Sequence, residues 1–351
     1  MSAPSALTLR RPDDFHLHVR DGAALAAVVP FSAACFARAL IMPNLRPPVR
    51  TTQEALAYRS RILAALPADT DFSPLMSLYL TDHTAPQEVE RARASGCILG
   101  FKLYPAGATT HSDAGVTDIR AVYGVLEQLQ ETGLALQVHG EVTAPTVDVF
   151  DREARFIDAV LAPLAERFPR LRIVFEHITT QAAVEFVLGA RAGIAATLTP
   201  QHLLMNRNAL FVGGIRPHHY CLPVLKSERD REALCAAVHA GSPRLFLGTD
   251  SAPHARAAKE AACGCAGIFS AHAALELYAE AFEAIGALER LEAFAAHHGA
   301  DFYGLPRNSG RVRLVRSEWE VPAAYPYGEQ TLVPLRAGER LTWRLAALER
   351  A

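Results

Sequence analysis

No stretch of this chain approaches the roughly 18 consecutive apolar residues that a bilayer span requires, so a membrane protein of the helical kind is not expected. No long basic or acidic block occurs either. The net charge is −2, and nothing in its distribution points to nucleic acid or to an anionic membrane. The first fourteen residues lack the positive-then-apolar layout of a secretory signal. Cysteine is sparse. The six thiols are scattered, no Cys-x-x-Cys is present, and only Cys263 and Cys265 stand close together. That pattern excludes a disulfide framework and fits a reducing cytoplasm; the close pair reads as loop residues. No Gly-x-Gly-x-x-Gly follows an apolar run, which removes the usual mark of dinucleotide binding.

What the chain does have is 351 residues, half of them hydrophobic, enough for one large core. Eight apolar runs recur at residues 15–19, 39–42, 75–80, 98–103, 134–138, 173–175, 194–198 and 245–247. They are continuous rather than alternating, as parallel strands buried on both faces should be. Amphipathic segments at 52–66, 86–94, 118–132, 153–168, 180–188 and 227–240 lie between them. Strand and helix repeated eight times predict an α/β fold, a (β/α)8 TIM-like barrel, over residues 1–304. After about Leu305 the runs shorten and Pro and Gly intervene, which predicts a small C-terminal appendage over 305–351 that packs on the barrel.

Barrel enzymes carry their chemistry at the C-terminal ends of the strands. Those ends here read Asp14-Phe15-His16-Leu17-His18-Val19-Arg20, Met42-Pro43-Asn44, Gly100-Phe101-Lys102-Leu103-Tyr104-Pro105, Val138-His139-Gly140-Glu141, Glu176-His177-Ile178-Thr179 and Gly248-Thr249-Asp250-Ser251-Ala252-Pro253-His254. In an extended strand His16 and His18 face the same side, where two imidazoles can converge on one metal ion. Four histidines, Asp250 and Lys102 therefore gather on one rim. Lys102 stands inside an apolar run, where an ammonium is costly unless paired. Either it snorkels or pairs with Asp250, or burial and metal charge lower its pKa so that the neutral amine adds carbon dioxide as a carbamate. Tyr104 reads as packing. His218, His219, His297 and His298 read as solvated or structural.

These motifs, in order and with sensible spacings from Leu7 to about Gly304, resemble the dihydroorotases of the amidohydrolase superfamily, closest to the short, single-function bacterial type. Cys263-Gly264-Cys265-Ala266-Gly267 and the stretch from Arg216-Pro217 to Pro223 share the resemblance. It implies two zinc ions per chain. His16, His18 and Asp250 would hold one, His139 and His177 the other, and Lys102, carboxylated by carbon dioxide to N6-carboxylysine, would bridge them. It also implies a small-molecule substrate, with reversible interconversion of N-carbamoyl-L-aspartate and L-dihydroorotate in pyrimidine synthesis and Asp250 carrying the proton. Arg20, Asn44 and His254 would bind the substrate carboxylate. The backbone of Leu222, Ala266 and Gly267 would meet the pyrimidine edge, and Thr109 and Thr110 would tip a lid formed by residues 105–115. A homodimer is the expected assembly. The competing readings are a hydantoinase-like cyclic amidase, a mononuclear deaminase and a catalytically dead relative; the second leaves Lys102 without a role, and the third predicts lost ligands.

Overall fold

The computed structural model describes residues 4–349. Its centre is a single sheet of eight parallel strands in sequence order: β2 (Asp13–Leu17), β3 (Arg38–Ile41), β4 (Ser73–Leu80), β5 (Ile98–Leu103), β6 (Ala135–Val138), β7 (Arg172–Phe175), β8 (Ile194–Leu198) and β9 (Leu245–Leu247). Sequential parallel strands demand crossovers, and helices outside the sheet supply them. The helix Thr52–Ala64 starts at a Thr51/Glu54 capping box, and Thr180 and Ser227 cap the helices that begin at Gln181 and Glu228. Gly133, with φ 74°, stops the helix Tyr123–Thr132. The barrel predicted from the eight apolar runs is what the chain forms.

The ring closes just beyond β9. The Asp250 amide donates to the His16 carbonyl (2.9 Å), and the His18 amide to the Ser251 carbonyl (3.1 Å). The seam of the barrel is thus made by the backbone of the chain's most ligand-rich segments. At the opposite end the interior is filled by Phe15, Leu40, Leu75, Val174, Phe246 and Tyr303, with Tyr303 stacked on Phe15 at 5.0 Å. A packed floor of this kind leaves only the C-terminal mouth open to chemistry.

Three differences from the sequence reading have local causes. The first barrel strand spans Asp13–Leu17 rather than 15–19: beyond Leu17 the His18 amide turns to the Ser251 carbonyl across the seam. The helix Ala23–Cys35 carries no polar stripe, and Ala274–Ala284 has eight of its eleven residues buried, its glutamate stripe being covered by the last strand instead of by water. The N-terminal β1 (Ala6–Arg10) leaves the barrel altogether. It pairs antiparallel with β10 (Arg311–Glu320), and β10 pairs in turn with the C-terminal strand, Arg340–Glu349. That last strand docks on the helix Ala274–Ala284. Glu276 accepts from the Leu345 amide (2.9 Å), Glu280 from the Thr342 amide (2.8 Å) and Glu283 from the Trp343 indole (3.1 Å).

Candidate active site

At the barrel seam Asp250 Oδ1 lies 3.1 Å from His18 Nε2 and 3.5 Å from His16 Nε2. One donor atom from each of the three residues falls within 4.8 Å of the others, and all three side chains are buried. The His177 ring stands 4.9 Å from that of His16 on one side and 4.9 Å from that of His139 on the other. The four imidazoles therefore run in one continuous arc across the ends of β2, β6 and β7.

Two of the ring nitrogens that face away from the arc are held. His16 Nδ1 bonds Glu176 Oε2 at 2.9 Å, and His139 Nε2 bonds Glu141 Oε2 at 2.8 Å. Each bond fixes the tautomer and turns the other nitrogen inward. Glu176 also accepts from the Thr197 hydroxyl (2.6 Å), whose oxygen accepts in turn from the His177 amide (2.7 Å). Asp14 fastens the seam. Its carboxyl accepts from the His16 amide (3.1 Å), the Thr249 amide (2.9 Å) and the Thr249 hydroxyl (2.6 Å). Burial pushes the Asp14 carboxyl up to about 7, against these hydrogen bonds. Asp14, Glu141, Glu176, Thr197 and Thr249 were not singled out as site residues from sequence, although four of the five lie within two positions of a ligand in the same motifs.

Lys102 is fully buried beneath the arc, and its Nζ has no hydrogen-bond partner. The pairing with Asp250 that would account for it blandly is not made. Burial lowers its ammonium to about 8, with the Glu176 and Asp250 charges opposing. Burial likewise holds His177 well below the ordinary imidazole value, with the Lys102 charge acting in the same direction. It does the same for His18, reinforced by Arg20 and Lys102. Neutral imidazoles with inward nitrogens, a carboxylate and an unpartnered buried amine are the donor set of a metal centre. The His177 Nδ1 atom, buried and also without a partner, is a ligand position of the same kind. The residues present therefore fit the metal pair that the resemblance implies.

The backbone is bent to make this rim. Arg20, His111, His177 and Asp250 take φ values of 60°, 59°, 40° and 45°. Each costs about 1–3 kcal/mol in a non-glycine residue, a strain that clusters where side chains must be aimed.

Above the arc lies a narrow cavity. Arg20, Asn44, Thr109, Thr110 and Leu222 line it, as do Ala266 and Gly267. Tyr104, read as packing, lines it too; its ring stacks on Tyr79 at 5.1 Å, but its hydroxyl has no partner. Arg20 is fixed by its Nε, which donates to the Pro253 carbonyl at 3.0 Å. Its Nη2 lies 2.9 Å from His254 Nε2, which is also 3.0 Å from the Ala266 carbonyl. One neutral ring nitrogen cannot both donate and accept. Burial and then the Arg20 charge push His254 down to about 2, so a second proton does not settle the conflict. An anion accepting from Arg20 and from His254 would settle it. Gly267 takes φ 148°, and a Cβ there would come within 2.6 Å of the Ala252 carbonyl oxygen, so only glycine permits this close approach.

The 105–115 segment folds inward over the cavity. Thr110 donates its hydroxyl to the Ala266 carbonyl (3.2 Å), Asn44 Nδ2 donates to the Thr110 carbonyl (3.1 Å), and Ser112 Oγ donates to the Thr109 carbonyl (2.6 Å). The sequence predicts weak packing here because apolar residues are few; turn hydrogen bonds do the holding instead. Cys263 and Cys265 are loop residues with free thiols, as expected.

Comparison with known proteins bears on the same residues. The amidohydrolase family profile matches residues 14–314. The dihydroorotase of Azoarcus sp. (strain BH72) is 66% identical over 342 residues, 97% of this chain and 99% of the relative. That of Laribacter hongkongensis (strain HLHK9) is 67% identical over 97% and 99%. Among solved structures, dihydroorotase from Campylobacter jejuni superposes with a TM-score of 0.89 at 36% identity, over 99% of both chains. Dihydroorotase from Saccharomyces cerevisiae, in complex with 5-fluoroorotic acid, gives 0.91 at 33% identity, covering 99% of this chain and all of that one. The L-hydantoinase of Arthrobacter aurescens shares the fold, with a TM-score of 0.81 at 15% identity.

Proposed function

The chain belongs to the amidohydrolase family, among its dihydroorotases, and from that premise we propose how its residues interconvert N-carbamoyl-L-aspartate and L-dihydroorotate, a step of pyrimidine biosynthesis. The observation that carries the reading is one cavity with two different linings. Its floor is the His16, His18 and Asp250 donor group over Lys102, and its rim is Arg20, backed by His254 just outside the lining, a cationic donor suited to an anion. A hydantoinase needs the floor and has no carboxylate for the rim to bind. A dead relative would lack part of the floor, and every ligand position is filled.

His16, His18 and Asp250 would hold one zinc ion and His139 and His177 a second, with Lys102 as N6-carboxylysine between them. A bound metal pair supplies Lewis acidity: it activates a water at neutral pH and polarises the scissile carbonyl. The chain's own groups do the rest. Arg20, Asn44 and His254 receive the substrate carboxylate, Arg20 through paired donors. Backbone at Leu222, Ala266 and Gly267 receives the pyrimidine edge. Asp250 delivers a proton to the departing ring nitrogen in hydrolysis and removes one from the ureido nitrogen in cyclisation. Burial raises its carboxyl above the ordinary range, which favours a group that must take up a proton in the cycle. Thr109 and Thr110, at the tip of the inward-folded segment, cover the substrate and exclude water.

The test is turnover of L-dihydroorotate against hydantoin by metal-replete protein, with zinc analysis. Dihydroorotate turnover with about two zinc per chain supports the reading. Equal or faster hydantoin turnover, or an active protein without metal, sinks it. The same family membership leads us to propose a cytoplasmic homodimer, checked by its mass in solution. Among the described residues no helix is long and apolar enough to cross a membrane.

A further inference from the structure

The chain has three lysines among its 35 basic residues, and all three are buried: Lys102, Lys226 and Lys259, at 0%, 4% and 3% exposure. Arginine supplies every other basic side chain. A residue type kept only in the interior marks places where a compact ammonium is needed and a planar guanidinium does not serve. Lys102 belongs to the metal floor. Lys226 donates to the Val224 carbonyl. Lys259 has no place in the mechanism above, yet it is the most fully bonded of the three.

Lys259 ends the short helix Arg256–Lys259 that follows the Asp250 seam. Its Nζ donates to the Tyr220 carbonyl at 2.7 Å, the Cys265 carbonyl at 2.8 Å and the Gly267 carbonyl at 2.8 Å. An ammonium has three protons and no acceptor, so each proton is used once, on a neutral backbone oxygen. The three carbonyls come from two loops far apart in sequence. One leads from Tyr220 into Leu222; the other is Cys265-Ala266-Gly267. A direct bond, Gly267 amide to Tyr220 carbonyl at 3.0 Å, joins the loops at the same place. Leu222, Ala266 and Gly267 all line the cavity. Burial lowers the Lys259 ammonium to about 8, and its charge acts on His254 beside that of Arg20.

We propose that Lys259 is a positioning residue for substrate binding, a single cationic centre that fixes the separation of the two loops whose backbone meets the pyrimidine edge. The inference rests on the assignment of those loops to substrate. Because the loops contact the part of the substrate that does not react, they should bind ground state and transition state alike. Such uniform binding appears in KM and not in kcat. A lysine that merely stabilised the fold would show the reverse: a lower active fraction with KM unchanged.

The experiment is steady-state kinetics in both directions, zinc content and thermal melting for the full-length parent, Lys259→Met and Lys259→Arg. Lys259→Met should raise KM for both substrates about tenfold, the equivalent of about 1.4 kcal/mol, with kcat within about twofold and zinc unchanged. Lys259→Arg keeps the charge but spreads its donors over a planar fork. It should raise KM about threefold, less than methionine does but beyond error. If the methionine variant does not fold, the arginine variant carries the test alone. Parental KM in either folded variant overturns the proposal, as does a fall in kcat or zinc with KM unchanged. A parent that does not turn over dihydroorotate would instead overturn the functional reading on which the proposal rests.

Discussion

The floor and the roof of the cavity are built from different kinds of bond. On the floor, buried carboxylates hold ring nitrogens and the amides of the ligand-bearing strand ends. Glu176 and Glu141 pin His16 and His139 from behind, and Asp14 ties the two segments that form the barrel seam. On the roof, donor side chains are spent mainly on loop carbonyls. Thr110, Arg20, His254 and Lys259 all end on carbonyl oxygens, and single contacts join the 105–115 segment to its neighbours. The floor must keep ligand atoms in register for metal, so it uses buried charge on rigid strand ends. The roof must let substrate in, so its mobile segment is held by neutral hydroxyl and amide bonds worth about 0.5–1.5 kcal/mol each, while Arg20 and Lys259 anchor the loops around it through charged donors. If that difference is real, floor variants should change metal content, and roof variants should change kinetics at constant metal.

The largest break belongs to Lys102→Ala. If Lys102 bridges two metals as proposed, its removal should abolish turnover and most of the second zinc, and short carboxylic acids should restore part of both by standing in for the carbamate. Normal zinc with normal turnover in the alanine variant removes the bridging role. Asp250→Asn is the next sharpest cut, because it keeps a donor oxygen and loses the proton carrier. Turnover should fall about 10²–10⁴-fold in both directions with some metal retained. A variant within a few-fold of the parent across pH would reduce Asp250 to a ligand.

The roof should answer differently. Thr109→Ala with Thr110→Ala should lower turnover roughly 10²–10³-fold while both zinc ions stay, since neither residue touches the floor. Parent-like turnover with zinc intact would leave the segment a plain loop. A smaller floor effect tests the contrast from the other side. Glu176→Gln leaves every proposed ligand in place but weakens the carboxylate that orients His16. Zinc affinity should drop about 10–100-fold, measured by competition with a chelator. Unchanged affinity would make that carboxylate incidental.

The sequence discloses the ligands and the rim better than the groups that support them. Ligands at the ends of apolar strands are local signals, and His16, His18, Lys102, His139, His177 and Asp250 all stand there. Their supports are half legible. Glu141 and Glu176 stand inside the same motifs, but a glutamate next to a histidine has no visible partner until β2, β6 and β7 lie side by side. Lys259 is invisible as a site residue, because its partners Tyr220, Cys265 and Gly267 contribute only backbone, and no side-chain pattern records a carbonyl. β1 escapes notice for a related reason: five residues gain their meaning from pairing with Arg311–Glu320 at the far end of the chain. The appendage boundary drawn near Leu305 reflects composition, while the sheet there draws on both termini.

Arg20→Lys is the gentlest of these tests and addresses the roof directly. Lysine keeps the positive charge, so long-range attraction of an anionic substrate persists. It loses the planar fork that matches a carboxylate with two parallel bonds. It also loses the Nε donor that now fixes the side chain to the Pro253 carbonyl, and the Nη2 contact that sets up His254. The substrate carboxylate is remote from the bond that breaks, so the loss should fall mainly on binding. KM should rise about tenfold for both substrates, the worth of one charge-assisted hydrogen bond, with a smaller change in kcat and no change in zinc. Kinetics in both directions with metal analysis separate the possibilities. Unchanged KM for both substrates places Arg20 outside the binding site. A fall in zinc would show that floor and roof are not independent, because Arg20 sits two residues from His18 on the same bent backbone.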